Sequence, residues 1–126
     1  MTYLRYRTVI LSICCSLVVF SIAGCMGGTG VSNSEAKERA LDAEEQHITE
    51  QFENASCVES WSPTSFVGLE KGATVTNRTT EGVYVEVTHP YSYSTKKEEA
   101  DVESTARYLI TPDDVQRIHG TDVSPC

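Results

Sequence analysis

Three hydropathy regimes follow one another along the chain. Arg5 and Arg7 precede an uncharged, mostly apolar run from Thr8 to Gly24. A charged, helix-forming stretch occupies Glu35 to about Asn54, and beyond Cys57 apolar residues recur at every second position.

The middle regime opens on Ser32-Asn33-Ser34-Glu35, a capping box whose hydroxyl and carboxylate close off free N–H groups of a first helical turn. Neither Gly nor Pro interrupts the chain before Asn54, so a helix is predicted over that span. Leu41, Ile48, Phe52 and Ala55 share one narrow stripe, at spacings of seven, four and three. A stripe that narrow, among charged neighbours, predicts one surface helix laid on another layer, not half of a bundle. His47 falls off the stripe and reads as solvated.

The third regime predicts strands. Gly82 to Thr88 alternates Val83, Val85 and Val87 with Tyr84, Glu86 and Thr88. Thr105–Ile110 is a second strand, Thr111-Pro112-Asp113-Asp114 a turn, and Val115–His119 the returning partner. Ser65–Glu70 and Ala73–Thr76 flank Lys71-Gly72 as another hairpin, and the charged stretch from Pro90 to Val102 reads as an exposed connection. One helix followed by about five strands implies a single α+β domain over 32–126. Its helix crosses one face of an antiparallel sheet and buries its stripe on Val83, Val85 and Val87. This element order resembles cystatin-like and nuclear-transport-factor-like folds, which implies nothing about activity.

The first regime changes the picture of where the domain resides. A basic start, an apolar middle and the small residues Ala23 and Gly24 before Cys25 have the layout of an export signal. Ser21-Ile22-Ala23-Gly24-Cys25 reads as a lipoprotein cleavage site, with 1–24 as the signal peptide and lipid on the Cys25 sulfur. The competing reading is a single uncleaved N-terminal membrane helix. The 17 uncharged positions from Thr8 to Gly24 are at the short end of the roughly 17–25 residues that cross a bilayer. Both readings leave the remainder outside the cytoplasmic membrane, because the positive end stays in the cytoplasm. Residues 25–31, Cys-Met-Gly-Gly-Thr-Gly-Val, read as a flexible tether.

All 18 carboxylates follow the cut, whereas two of the 10 Lys and Arg, Arg5 and Arg7, precede it. An acidic exported part argues against nucleic acid as a partner, since that requires basic patches. Scattered carboxylates fit a surface adapted to concentrated salt better than a cation-binding protein. With Cys25 lipidated, Cys57 and Cys126 remain as a pair in an oxidising compartment; two free thiols are the alternative. Asn54-Ala55-Ser56 and Asn77-Arg78-Thr79 match the N-glycosylation pattern, with a helix-terminal and a turn asparagine as the plain alternatives.

No constellation specifies chemistry. Glu98-Glu99-Ala100-Asp101-Val102-Glu103 lacks the glycine and alternating ligands of a calcium loop, and Asp113-Asp114 has an ordinary turn role. His47, His89 and His119 are far apart, and there is no nucleophile elbow or phosphate loop, so no catalytic residue, metal or cofactor is assigned. Trp61, Tyr91 and Tyr93 are the binding candidates. The two tyrosines project to one side of an extended segment, where they would stack on a ligand or partner; otherwise such aromatics complete a core.

Ala23-Gly24-Cys25 with Gly27-Gly28, the acidic exported part, and Ala106–Ile110 running on to Gly120-Thr121-Asp122-Val123-Ser124-Pro125-Cys126 resemble the small exported lipoproteins of salt-loving archaea. Arg5-Tyr6-Arg7 departs from the twin-arginine signal such proteins often carry. The resemblance implies a cell-surface location and no activity. The expected function is therefore a lipid-anchored, non-enzymatic domain binding a protein or small ligand at the envelope. A small hydrolase or enzyme-accessory subunit, or a purely structural envelope component, are the alternatives.

Overall fold

The helix begins where the capping box places it. In the computed structural model, which describes residues 30–126, Ser32 is the N-cap and its Oγ accepts from the Glu35 N–H at 3.1 Å. Helix α1 spans Asn33–Glu53. The strands are β1 (Val58–Ser62), β2 (Gly72–Arg78), β3 (Val83–Thr95), β4 (Glu99–Ile110) and β5 (Val115–Gly120). All pairings are antiparallel. The domain is thus α+β, one helix packed on a five-stranded sheet among the described residues. The export signal, Cys25 and the first part of the tether lie outside those residues.

The sheet is organised by a long β3–β4 hairpin, in register without interruption from Val83↔Ile110 to Ser94↔Glu99. Gly82 leads into it: its φ of 155° is rare for a residue with a side chain, and a Cβ there would meet the Ile110 carbonyl oxygen at 2.5 Å. Pro90–Val102 is therefore not an exposed connection, as its charge suggested. It is the outer half of this hairpin, and only Lys96-Lys97-Glu98 turns, with Thr95 N–H donating to the Glu98 carbonyl at 2.8 Å. The carboxylates Glu99, Asp101 and Glu103 alternate with Ala100 and Val102, so they point to one face and the apolar residues to the other.

On its far side β3 pairs with β2 as far as Thr88 and with β1 from Ser92 onward. Pro90 falls in the gap between them, where a missing N–H deprives no neighbour of a hydrogen bond. Another expectation is corrected here. Ser65–Glu70 does not form a strand: 63–71 is a loop carrying Gly68 at φ 82°, and β2 is left without that partner. Strand β1, in turn, has no clean alternation because a bulge between Val58 and Ser60 breaks the period.

The helix covers the face bearing Val83, Val85, Val87, His89, Tyr91 and Tyr93. Its buried residues are Ala36, Ala40, Glu44, Ile48 and Phe52, spaced by four. Only Ile48 and Phe52 of the expected stripe belong to this row; Leu41 and Ala55 are half-buried beside it. Small Ala36 and Ala40 let the helix approach the three valines, together with Tyr108 and Ile110. Further along, Ile48 and Phe52 pack with Tyr91 and Val123, flanked by Val58, Trp61, Tyr93 and Val102. Between the two apolar clusters lies a polar belt, described next. Among the described residues, no second helix covers the opposite sheet face.

Candidate functional site

The belt centres on Glu44, which is wholly buried. Ser104 Oγ donates to Glu44 Oε1, and Tyr108 Oη donates to Oε2 at 2.6 Å. From β5, Arg117 adds Nε–H to Oε2 at 3.0 Å and Nη2–H to Oε1 at 3.1 Å. The guanidinium also donates to the Thr121 carbonyl at 2.9 Å. Burial by itself pushes the Glu44 carboxyl up, but the bonds from Arg117, Ser104 and Tyr108 together outweigh it and hold the carboxyl below its ordinary value. Burial first, then the bond to Glu44, pushes the Tyr108 phenol well up, and the bond to Glu44 raises Arg117. This is an ion pair enclosed between layers, with the Glu44 carboxylate accepting from all three partners.

His89 shares the belt. It is fully buried, with Nδ1 facing the Pro90 carbonyl at 2.9 Å and Nε2 facing Glu45 Oε2 at 3.2 Å. The carbonyl and the carboxylate are both acceptors. Lys71 approaches the same Glu45 oxygen at 3.9 Å. Neither the Glu44 cluster nor His89 was legible as a site; the one available signal was a glutamate in the middle of the four-spaced row Ala36, Ala40, Ile48, Phe52.

The three aromatic candidates come together, but on the helix side. Phe52 stacks on Trp61 with centroids 5.3 Å apart, and lies 5.4 Å from Tyr91 and 5.2 Å from Tyr93. Tyr91 and Tyr93 do share one side of β3, as alternation requires, but Tyr91 is only 6% exposed. Tyr91 thus packs in the core, while Tyr93 and Trp61 are partly buried beside it on the side that α1 covers. Cys57 and Cys126 are paired as a disulfide, their Cα atoms 5.8 Å apart, which ties the end of the chain to the segment following α1. Asn54 and Asn77 are both exposed. Asn54 Nδ2–H donates to the Glu50 carbonyl at 2.9 Å, and Asn77 Oδ1 accepts from Arg78 N–H at 2.9 Å. Among the described residues no group of three or more His, Cys, Asp or Glu is placed to hold a metal ion.

The surface with the most unspent polar chemistry is the sheet face away from α1. At its β3–β4–β5 end a shallow cleft of about 380 Å³ is lined by Glu86, Thr88, Thr105, Arg107, His119 and Thr121. The Arg107 guanidinium lies over the Tyr84 ring, 4.7 Å from its centroid, and its Nε is buried without a hydrogen-bond partner. At the β1 end, a smaller cleft of about 270 Å³ lies among Ser60, Ser62, Ser92, Ser94, Glu99 and Phe66. Phe66 and Val67, on the 63–71 loop, are 78% and 74% exposed. Sequence reasoning missed both clefts, since each gathers single hydroxyls and charges from three separate segments.

No protein-family model, curated protein or solved structure matches the chain.

Proposed function

We propose that the chain is an exported, lipid-anchored, non-enzymatic domain that binds a protein or small ligand at the outer face of the cytoplasmic membrane through the helix-distal face of its sheet. The observation that carries this reading is that face itself. Among the described residues no helix covers it, and it presents serine and threonine hydroxyls, Glu86, Arg107 and His119 from adjacent strands. Fixed hydrogen-bonding groups on a sheet lose little freedom when they capture a partner. The strongly perturbed ionisable groups, by contrast, are enclosed under α1, where Glu44 and Arg117 join the layers.

The envelope location is supported by Ser21–Cys25 in the sequence and by the Cys57–Cys126 pairing, which suits an oxidising compartment. Val31 is buried in the domain core, which leaves Cys25 to Gly30 as the tether, with a reach of at most about 20 Å when fully extended. The partner is then one that lies close to the membrane. Mass spectrometry of membrane-derived protein is expected to find lipid on Cys25. An intact Met1-bearing chain with a free Cys25 thiol would overturn the anchor. A photoreactive residue at Thr88, on the helix-distal face, is expected to cross-link a discrete partner on intact cells. The same probe at Lys37, on the exposed side of α1, is expected not to. Capture from Lys37 and not from Thr88 would reassign the binding face.

A further inference from the structure

We propose that the chain carries an N-linked glycan on Asn77 and none on Asn54. This rests on the exported reading above, since the modification belongs to exported chains. Asn77-Arg78-Thr79 closes β2, and all three residues are exposed. Asn77 Oδ1 accepts from the Arg78 N–H at 2.9 Å, which fixes the amide, because only its oxygen can face that donor. Nδ2, the nitrogen that takes the sugar, then makes no hydrogen bond among the described residues. Thr79 Oγ1 accepts from the Glu81 N–H at 3.1 Å and keeps its own hydrogen to donate. Asn54 is the reverse case. Its Nδ2–H donates to the Glu50 carbonyl at 2.9 Å at the end of α1. To attack a sugar, the nitrogen frees its lone pair from the amide plane. At Asn54 that breaks the bond to Glu50; at Asn77 it breaks none.

Position selects the same residue. Gly30, where the tether enters the domain, lies beside Arg78: a Cβ on it would be 3.6 Å from Arg78 Nη1, and Arg78 Nη2 donates to Asn33 Oδ1 at 2.6 Å. Asn77 therefore sits at the tethered end. Asn54 caps the other end of α1, whose 21 residues carry it about 30 Å along the domain. A glycosyl donor held on a membrane lipid through phosphate thus has Asn77 nearest to it. Asn77 Nδ2 bonds to the anomeric carbon of the sugar, and the bond from that carbon to the phosphate oxygen breaks. Its electron pair stays on the lipid phosphate, and the amide proton passes to a base of the transferring enzyme.

The surroundings of Asn77 suit a glycan. Among the described residues β2 pairs only with β3, and Arg78 is its sole charge, so little on its outer edge keeps another strand away. A bulky, hydrated group at Asn77 guards that edge. Directly across the strand pair is Tyr84, on the helix-distal face. Its half-exposed ring offers the first sugar an apolar surface to lie against. Thr88 is four residues further along β3, about 13 Å from Tyr84. A glycan at Asn77 therefore borders the binding face proposed above and leaves its Thr88 end open.

Cleavage after glutamate of the reduced, membrane-derived protein puts the two tripeptides on separate fragments, 54–59 and 71–81. Mass spectrometry is expected to find a glycan on 71–81 and none on 54–59. Asn77→Gln and Thr79→Ala are expected to lose it, and Thr79→Ser, which keeps the hydroxyl, to retain it. A bare 71–81, a glycan on 54–59, or a glycan that survives Asn77→Gln overturns the inference. The wild-type masses decide even where a variant fails to accumulate. Lipid on Cys25 is read from the same sample. Bare fragments on a lipidated chain sink this inference alone and leave the exported reading standing. Bare fragments on an intact Met1-bearing chain with a free Cys25 thiol sink both.

Discussion

Replacing Glu44 by Leu removes the acceptor of four hydrogen bonds at once and leaves Arg117, Tyr108 and Ser104 facing an apolar side chain. Breaking a buried ion pair from one side costs about 3–5 kcal/mol. The Arg117 side chain keeps 23% of its surface in water, so it re-solvates in part and the lower figure, about 3 kcal/mol, is expected. That is a large fraction of the roughly 5–15 kcal/mol that holds a domain folded. Glu44→Gln retains one acceptor oxygen, but its amide N–H₂ opposes groups of which Arg117 can only donate, so about 1–3 kcal/mol is expected. The double variant Glu44→Leu/Arg117→Met should be more stable than Glu44→Leu alone, because no charge is then stranded. Urea unfolding with the disulfide intact measures all three.

The pH dependence carries a sign. The folded carboxyl titrates below its ordinary value of 4.5. Its stabilising contribution is therefore complete above that value and disappears as pH falls through the lower folded pKa. Glu44→Gln should flatten that part of the acid limb relative to wild type. A Glu44→Leu protein within about 1 kcal/mol of wild type, or an unchanged acid limb in Glu44→Gln, would refute the claim that this network joins the layers.

Two further perturbations probe how the domain is held together. Cys57→Ser/Cys126→Ser opens a link across a sequence separation of 69, and the chain-entropy model assigns it about 4 kcal/mol; a melting temperature unchanged by the substitutions would contradict that. Phe52→Ala empties the centre of the aromatic cluster, where Trp61, Tyr91 and Tyr93 all lie within 5.4 Å of its ring centroid. A loss of about 3–5 kcal/mol is expected, with Trp61 emission shifted to the red, whereas an unchanged spectrum would place Trp61 outside the core.

Local chemistry was enough for the elements whose signals lie within a few residues. The capping box at Ser32 and the valine alternation at Val83, Val85 and Val87 act through neighbouring backbone and side chains, and they identified the helix start, the central strand and the layer order. The pairing of Cys57 with Cys126 was reachable because so few cysteines remain after Cys25. The extent of β3 and β4 was not, since the charges from Lys96 to Glu103 resemble a solvated loop until the register places Ala100 and Val102 inward. Strand β1 was hidden by its bulge, and Pro90 argued against a strand whose open side only the tertiary pairing reveals.

By itself, then, the sequence determined an acidic α+β domain and where its helix begins. Tertiary structure alone decided that a glutamate on the helix is sealed beneath it, that three aromatics lie on the helix side of the sheet, and that Ser65 and Asp101 meet. The physical reason is separation along the chain. Arg117 lies 73 residues from Glu44, and Ser65 lies 36 from Asp101. Bonds across such distances depend on sheet register and loop path, which no local periodicity encodes.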